Sequence, residues 1–303
     1  MKKVKRFFKI KYKMLLSFSS MLIISLIIIS AINIFLFRRT LIGMAVSETE
    51  NITKSLQITC KSIVTSAITN HLRSIAEKGK ALAELYYNLY KKGEITEQEA
   101  KKRFRQVILD PNYGKIGKTG YLAGISTNGV LAIHPKSEGV SAIKFDFMKK
   151  ACQMKNGYLE YNWQNVGEAT ARAKAGYLSY FEPWDIMIWA SSYKEEFINL
   201  ININDFKSDF LSIVIGSTGY PYIIDQSGMM VLHPVIPQGT DVSNVKDSLT
   251  GYKFVKEIMQ KKNGYILYNW KNVNETSPRK KITAFRYYED MKWIIVTGTY
   301  LEE

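Results

Sequence analysis

The chain has 303 residues, 46% of them hydrophobic and 23% charged, with a formal net charge of +15 at pH 7. That balance excludes a disordered chain, and the length suits one large domain or two ordinary ones. The charge is not spread evenly: residues 1–39 hold nine bases and no acid, leaving thirty-three bases against twenty-seven acids in the rest. A dispersed surplus of this size is not the basic stripe that nucleic-acid binding needs, so no nucleic-acid partner is expected.

Seven of the nine bases, Lys2, Lys3, Lys5, Arg6, Lys9, Lys11 and Lys13, lie in a basic segment over residues 1–13. The next 24 residues, Met14 to Phe37, carry no charge. A helix of them spans roughly 36 Å, enough to cross the hydrocarbon core of a bilayer. A cleaved signal would have a shorter apolar core and a small-residue site after it; here Arg38 and Arg39 follow. The expectation is a retained transmembrane helix over 14–37. The charge bias places the N-terminus in the cytoplasm and the remainder outside, as a single-pass cell-membrane protein. Cys60 and Cys152 are the only cysteines and do not make a disulfide framework. Asn51 and Asn274 sit in the glycosylation acceptor pattern, which is common by chance.

Residues 38–110 read as a long helical region. Between 41 and 92 there is no proline, and apolar residues such as Leu41, Leu56, Ile63, Ile68, Leu72, Ile75, Leu82 and Leu85 recur every three to four positions. This seam fits either a homodimer contact or packing on the rest of the chain. Gly79 is a candidate break and Gly93 a candidate C-terminal cap. Thr96 and Glu99 form a capping-box pattern for a second helix running to about Val107. Asp110-Pro111-Asn112-Tyr113-Gly114 ends that helix.

The remaining sequence is written twice. Gly120-Tyr121, Gly129 and His134-Pro135 match Gly219-Tyr220, Gly228 and His233-Pro234 at an offset of 99. After an eight-residue insertion the offset becomes 107, and residues 156–193 share 15 of 38 identities with 263–300. Each copy reads as a hairpin, a helix and three strands, an α+β layout of tandem modules with antiparallel sheets over 111–197 and 198–303. Lys194 to Leu211 reads as a connecting helix. In a two-residue hairpin at Asn128-Gly129, Ala123 pairs with His134 and Ile125 with Ala132. That register puts Tyr121, Ala123, Ile125, Ala132 and His134 on one face, against Tyr220, Tyr222, Ile224, Val231 and His233 in the second copy.

The stretches "KIGKTGYLAGISTNGVLAIHPKSEG", "NGYLEYNW" and "FEPWDIMIWASSY", with their counterparts "IGSTGYPYIIDQSGMMVLHP", "NGYILYNWKN" and "MKWIIVTGTY", resemble a double Cache sensor region, PAS-like in each module. The resemblance covers nearly the whole chain. It implies an extracytoplasmic sensor of a bacterial or archaeal chemoreceptor or sensor kinase, taking a small organic acid, amino acid or amine, usually in the membrane-distal module. Two departures stand out. The family's Pro-Trp-Gly-Trp stretch reads Pro183-Trp184-Asp185-Ile186, and Asp290-Met291-Lys292-Trp293 in the second copy. The chain stops at Glu303 before a second span and an output domain, so the alternative is an anchored binding or adaptor protein working with a separate signalling protein.

For the ligand, Tyr121, His134, Lys136, Tyr161, Trp163, Arg172, Tyr177 and Tyr180 are the candidate contacts: fixed donors and rings in a mostly apolar pocket. The first copy is favoured because Ala123 and Ala132 leave room where Tyr222 and Val231 fill it, and because Lys136 stands where the second copy has Val235. The recurrence of His-Pro in both copies favours a turn role for it. No metal or cofactor is expected, since no further ligand stands at metal-binding spacing from either histidine. Gly117-Lys118-Thr119 lacks the earlier glycine of a phosphate loop, and no nucleophile motif occurs, so no enzyme activity is expected.

Overall fold

The computed structural model describes residues 2–165, 167–200, 203–272 and 275–303; Asn274 lies outside them. One helix, α1 (Lys2–Lys91), carries the apolar run and then about fifteen further turns without interruption, about 135 Å in all. It ends as Gly93 predicts. Gly93 has a φ of +76°, its N–H reaches Tyr90 O, and Glu94 N–H reaches Leu89 O, the paired bonds of a Schellman cap. Helix α2 (Glu97–Leu109) starts on Thr96, whose hydroxyl accepts the Glu99 N–H, and folds back on α1. A four-residue turn, α3 (Pro111–Gly114), then leads into the first sheet.

That sheet holds β1 (Lys115–Ile116), β2 (Gly120–Ser126), β3 (Leu131–Ile133), β4 (Gly157–Trp163), β5 (Arg172–Phe181) and β6 (Ile186–Tyr193) in the order β1-β2-β6-β5-β4, with β3 also on β2. The second sheet repeats it with β7 (Tyr220–Asp225), β8 (Met230–Leu232), β9 (Gly264–Trp270), β10 (Arg279–Tyr288) and β11 (Trp293–Tyr300) in the order β8-β7-β11-β10-β9. All neighbours are antiparallel, and every residue of the central strands β6 and β11 is buried. Helices α4 (Asp146–Met154) and α6 (Phe254–Lys261) cover the outer face of their sheets, and α1 covers the inner face of both. The expected connecting helix is two pieces, a 3₁₀ segment Lys194–Leu200 and α5 (Asn204–Leu211), with residues 201–202 outside the described set.

Gly79 is not a break. A Cβ there would lie 2.8 Å from Ile188 Cγ2, so the glycine is where α1 comes closest to β6. The buried face of α1 runs through Thr49, Thr53, Leu56, Cys60, Val64, Ile68, Leu72, Ala76 and Ala83. The seam over 41–75 is therefore used by the two sheets, while Leu41 and Leu85 stay exposed. The hairpin register also differs from the expected one. Gly124 faces Ile133 as predicted, but Ile125 faces Leu131, so Ala132 is bulged out to solvent and Leu131 takes its place on the covered face. The second hairpin repeats the bulge, with Ile224 opposite Met230 and Val231 turned toward the core beside α1.

Gly79→Leu, which forces a side chain between α1 and β6, is expected to lower the unfolding free energy by about 1–3 kcal/mol. Gly43→Ala, at a site with no heavy atom within 4 Å of the new methyl, gains helix propensity and should not. Denaturant melts of both variants check the pair; equal effects would sink the close-contact reading.

Candidate functional site

Between the first sheet and α4 lies a cavity of about 60 Å³. Its floor is Tyr121, Ala123, Lys174, Trp189 and Ser191; Phe147 and Met148 of α4 roof it, and Tyr161 and Trp163 close one side. Alternation along the strands decides who is present. On β5 the even positions face the cavity and the odd ones face α1. Lys174 is therefore a lining residue, while Tyr177 turns away and accepts a hydrogen bond from Arg73 Nε of α1 at 3.2 Å. Phe147 stacks on Tyr161 with ring centroids 4.3 Å apart, which fixes the roof to the wall.

Of the eight candidate contacts, Tyr121, His134, Tyr161 and Trp163 converge on this cavity. Lys136 is exposed on a neighbouring cleft that shares Tyr121, His134 and Trp163. Arg172 sits over the Tyr193 ring and pairs with Glu168 and with Glu195, at the junction of the two modules. Tyr180 lies at the far end of β5, donating to Asp185 at 3.0 Å beneath the Lys155 ammonium. Arg172, Tyr177 and Tyr180 are thus apart from the cavity.

The residues missed are Lys174 and Trp189. Lys174 is 1% exposed, and among the described residues its ammonium has neither an ion pair nor a hydrogen bond; it rests 4.5 Å from the Tyr121 ring centroid. Burial pulls its pKa down to about 8, so it keeps its proton at neutral pH. Trp189 Nε1 is buried without a hydrogen-bond partner. The cavity lining holds no carboxylate. A buried ammonium and an unmatched N–H in an acid-free cavity are complementary to an anion. The repeat carried a signal for Lys174, because it recurs as Lys281. Trp189 carried one only as a difference from Val296.

His134 has a structural task. Its Nδ1 accepts the N–H groups of Lys136 at 3.1 Å and Ser137 at 2.9 Å, closing the turn after the hairpin. With Nδ1 an acceptor, a neutral ring carries its proton on Nε2, which lies 3.0 Å from the Tyr121 hydroxyl. His233 Nδ1 takes Val235 and Ile236 N–H in the same way. Burial, then the neighbouring Lys174 or Lys281, pulls both pKa values down to about 4. The Gly117-Lys118-Thr119 turn also finds its anion within the chain. Lys118 N–H, Thr119 N–H and the Thr119 hydroxyl all donate to Glu196, and Ser217 and Thr218 hold Glu303 likewise.

The predicted contrast between the cavities is offset. Ala123 pairs across strands with Trp189, and Tyr222 pairs with Val296. Small and large have exchanged partners, and Gly176, which lies against the Trp189 indole, is replaced by Thr283, whose hydroxyl meets that of Tyr268. The second cavity is about 50 Å³, close to the first. Ala132 and Val231 line neither.

The family description that matches this chain is Cache domain (dCache_2), over residues 37–303. Among solved structures the chain is similar to a periplasmic sensor domain of a chemotaxis protein, at 15% identity over 43% of this chain and 96% of that one, TM-score 0.38. It is also similar to the ligand-binding domain of the Campylobacter jejuni chemoreceptor Tlp3 in complex with 4-methylisoleucine, at 12% identity over 86% and 93%, TM-score 0.36. A third is the ligand-binding domain of Mlp24 with asparagine, at 11% identity over 88% and 95%, TM-score 0.31.

Both histidines bind fewer protons folded than unfolded between pH about 4 and their ordinary value of 6.5. Stability that depends on the neutral rings is full above pH 6.5 and is lost as pH falls toward 4. A double variant, His134→Asn with His233→Asn, keeps a turn acceptor without the titration. Thermal melts across pH 4.5–6.5 should show a shallower slope for it than for the unaltered chain; equal slopes would count against the assignment.

Proposed function

This chain belongs to the Cache domain family, and from that premise we propose that it is the extracytoplasmic ligand-sensing region of a membrane receptor of the chemotaxis or two-component type. Residues 14–37 anchor it, with the basic segment in the cytoplasm. Residues 111–197 form the membrane-distal module and 198–303 the proximal one. The contacts along α1 support that order: Thr53 and Gln57 meet Thr297 and Tyr287 of the second sheet, whereas Arg73 and Tyr87 meet Tyr177 and Phe181 of the first, farther from the apolar run.

The ligand in this reading is a small organic acid held in the distal cavity. The observation that carries it is the pair of uncompensated donors, Lys174 Nζ and Trp189 Nε1, in a lining without a carboxylate. An amino acid fits less well, because its ammonium finds no acid there. The neutral His134 and the protonated Tyr121, whose pKa burial pushes up to about 12, leave Lys174 as the one charge of the lining. A bound anion draws the α4 roof and the sheet together. The sheet bears on α1 at Gly79, so ligand binding biases the position of the helix that enters the membrane.

Lys174→Met in the full chain, reconstituted in lipid nanodiscs, should weaken binding of the acid that scores best in a panel of short carboxylates by about 10–100-fold, the worth of one charged hydrogen bond. Tyr177→Phe should leave it unchanged. Affinity of the unaltered chain should fall as pH rises above about 8, where Lys174 loses its proton. Calorimetric titration reads all three. A folded Lys174→Met protein that binds with unchanged affinity refutes the site.

A further inference from the structure

Some contacts at the end of each sheet recur and others do not. Arg172 with Glu195 at 2.6 Å returns as Arg279 with Glu302 at 3.2 Å, and the clasp on Glu196 returns on Glu303. These belong to the module. Three charges beside them have no counterpart. Glu160 of β4, Lys194 after β6 and Asp290 before β11 correspond to Leu267, Leu301 and Pro183 in the other copy. They meet at the junction, where Lys194, 3% exposed, reaches Glu160 at 2.9 Å and Asp290 at 2.6 Å. One ammonium thus bridges a carboxylate from each module. A tyrosine stands beside each carboxylate. The Tyr158 hydroxyl donates to Glu160 at 2.7 Å. The Tyr288 hydroxyl is buried near Asp290 but makes no hydrogen bond of normal geometry, and its counterpart in the first copy is Phe181. Burial, then the Asp290 charge, raises its pKa, so it keeps its proton as a donor. Two open clefts, of about 530 and 460 Å³, border the junction and leave the turn Glu289–Met291 room to move.

We propose that Glu160, Lys194 and Asp290 form a two-position latch between the modules. In the arrangement seen, Lys194 holds both carboxylates. In the other, Lys194 keeps Glu160, the second module swings off, and Asp290 takes the Tyr288 hydroxyl instead. The buried hydroxyl without a bond carries the inference, because such a donor is a cost unless a second state uses it. Tyr288 and Asp290 belong to the same module and move together. Asp290 is therefore satisfied in both positions, and Lys194 always retains one partner, so neither position leaves a bare buried charge. The states differ by an exchange of bonds, which is the condition for an equilibrium that other events can tip. Helix α1 is the common axis, since each sheet packs on its own stretch of it. The latch concerns the junction alone and holds whether or not the first cavity takes an acid.

Spin labels at Lys149→Cys on α4 and Lys256→Cys on α6 read the distance between the modules, in a full-length Cys152→Ser chain diluted with unlabelled copies in nanodiscs. Both labelled positions are exposed, and Cys60, 1% exposed, stays unlabelled. The unaltered junction should give one distance. Lys194→Met should shift most chains to a second distance, and Tyr288→Phe added to it should abolish that second distance. Tyr288→Phe alone should keep the first. A cooperative melt checks folding. Where Lys194→Met unfolds, Asp290→Asn, which releases the lysine and keeps an oxygen for Tyr288, decides in its place with the same expectations. A folded Lys194→Met chain that keeps the single original distance overturns the latch, and so does a second distance that Tyr288→Phe leaves intact.

Discussion

Helix α1 touches the central strand of each sheet along one continuous buried face. That contact requires small or snugly fitting residues at the crossing points. Ala76, Gly79 and Ala83 meet the first sheet; Thr49 and Thr53 meet the second, where Thr53 and Thr297 exchange a hydrogen bond at 2.6 Å. A helix this long gains little from intrinsic propensity, so tertiary packing on its buried face sets its stability outside the apolar run. Both β6 and β11 pack on the same uninterrupted helix.

The modules are also joined directly through charge. Lys194, at the end of β6, is 3% exposed and pairs with Glu160 of the first sheet at 2.9 Å and with Asp290 of the second module at 2.6 Å. Beside it Glu195 holds Arg172 and Lys292. Burial lowers the Lys194 pKa, but the two carboxylates outweigh it and hold the pKa above its ordinary value. Such a buried, doubly paired ammonium has little net stabilising value, yet it penalises any arrangement that separates the partners. Glu196, next in the chain, is clasped by the turn before β2. One short segment thus ties the edge of the first module's cleft to the second module.

The architecture was legible in the residues because it is local or repeated. Cap chemistry at Thr96 and Gly93, the uncharged run from 14 to 37 and the offset between copies each follow from neighbours in sequence. What was not legible depends on through-space fit. Gly79 reads as a helix breaker until Ile188 is seen against it. The bulge at Ala132 shifts one residue of register and exchanges which side chain faces the cavity, and nothing in the hairpin sequence marks it. Tyr177 and Tyr180 were grouped by chemistry although three residues apart on one strand, a spacing that places them on opposite faces. Asp185 and Lys292, where the family has glycine in the first copy's stretch, both adopt left-handed backbone, φ +47° and +55°. At Asp185 the carboxylate takes hydrogen bonds from Thr127 and Tyr180, and short polar side chains are the ones that tolerate this conformation.

The two cavities explain why single-residue comparison misled. Ala123 with Trp189, and Tyr222 with Val296, are the same cross-strand pair written small–large and large–small. Cavity volume belongs to the pair, so the step from alanine to tyrosine says nothing until its partner is known. Exchange within the pair does change chemistry at constant volume. It puts an unpaired indole N–H in the first cavity, and in the second one Thr283 donates to the Tyr268 hydroxyl oxygen. Both copies keep the buried lysine, the neutral histidine and the stacked aromatic roof. Divergence after duplication has therefore left the charge of the two cavities alike and altered the uncharged donors beside it.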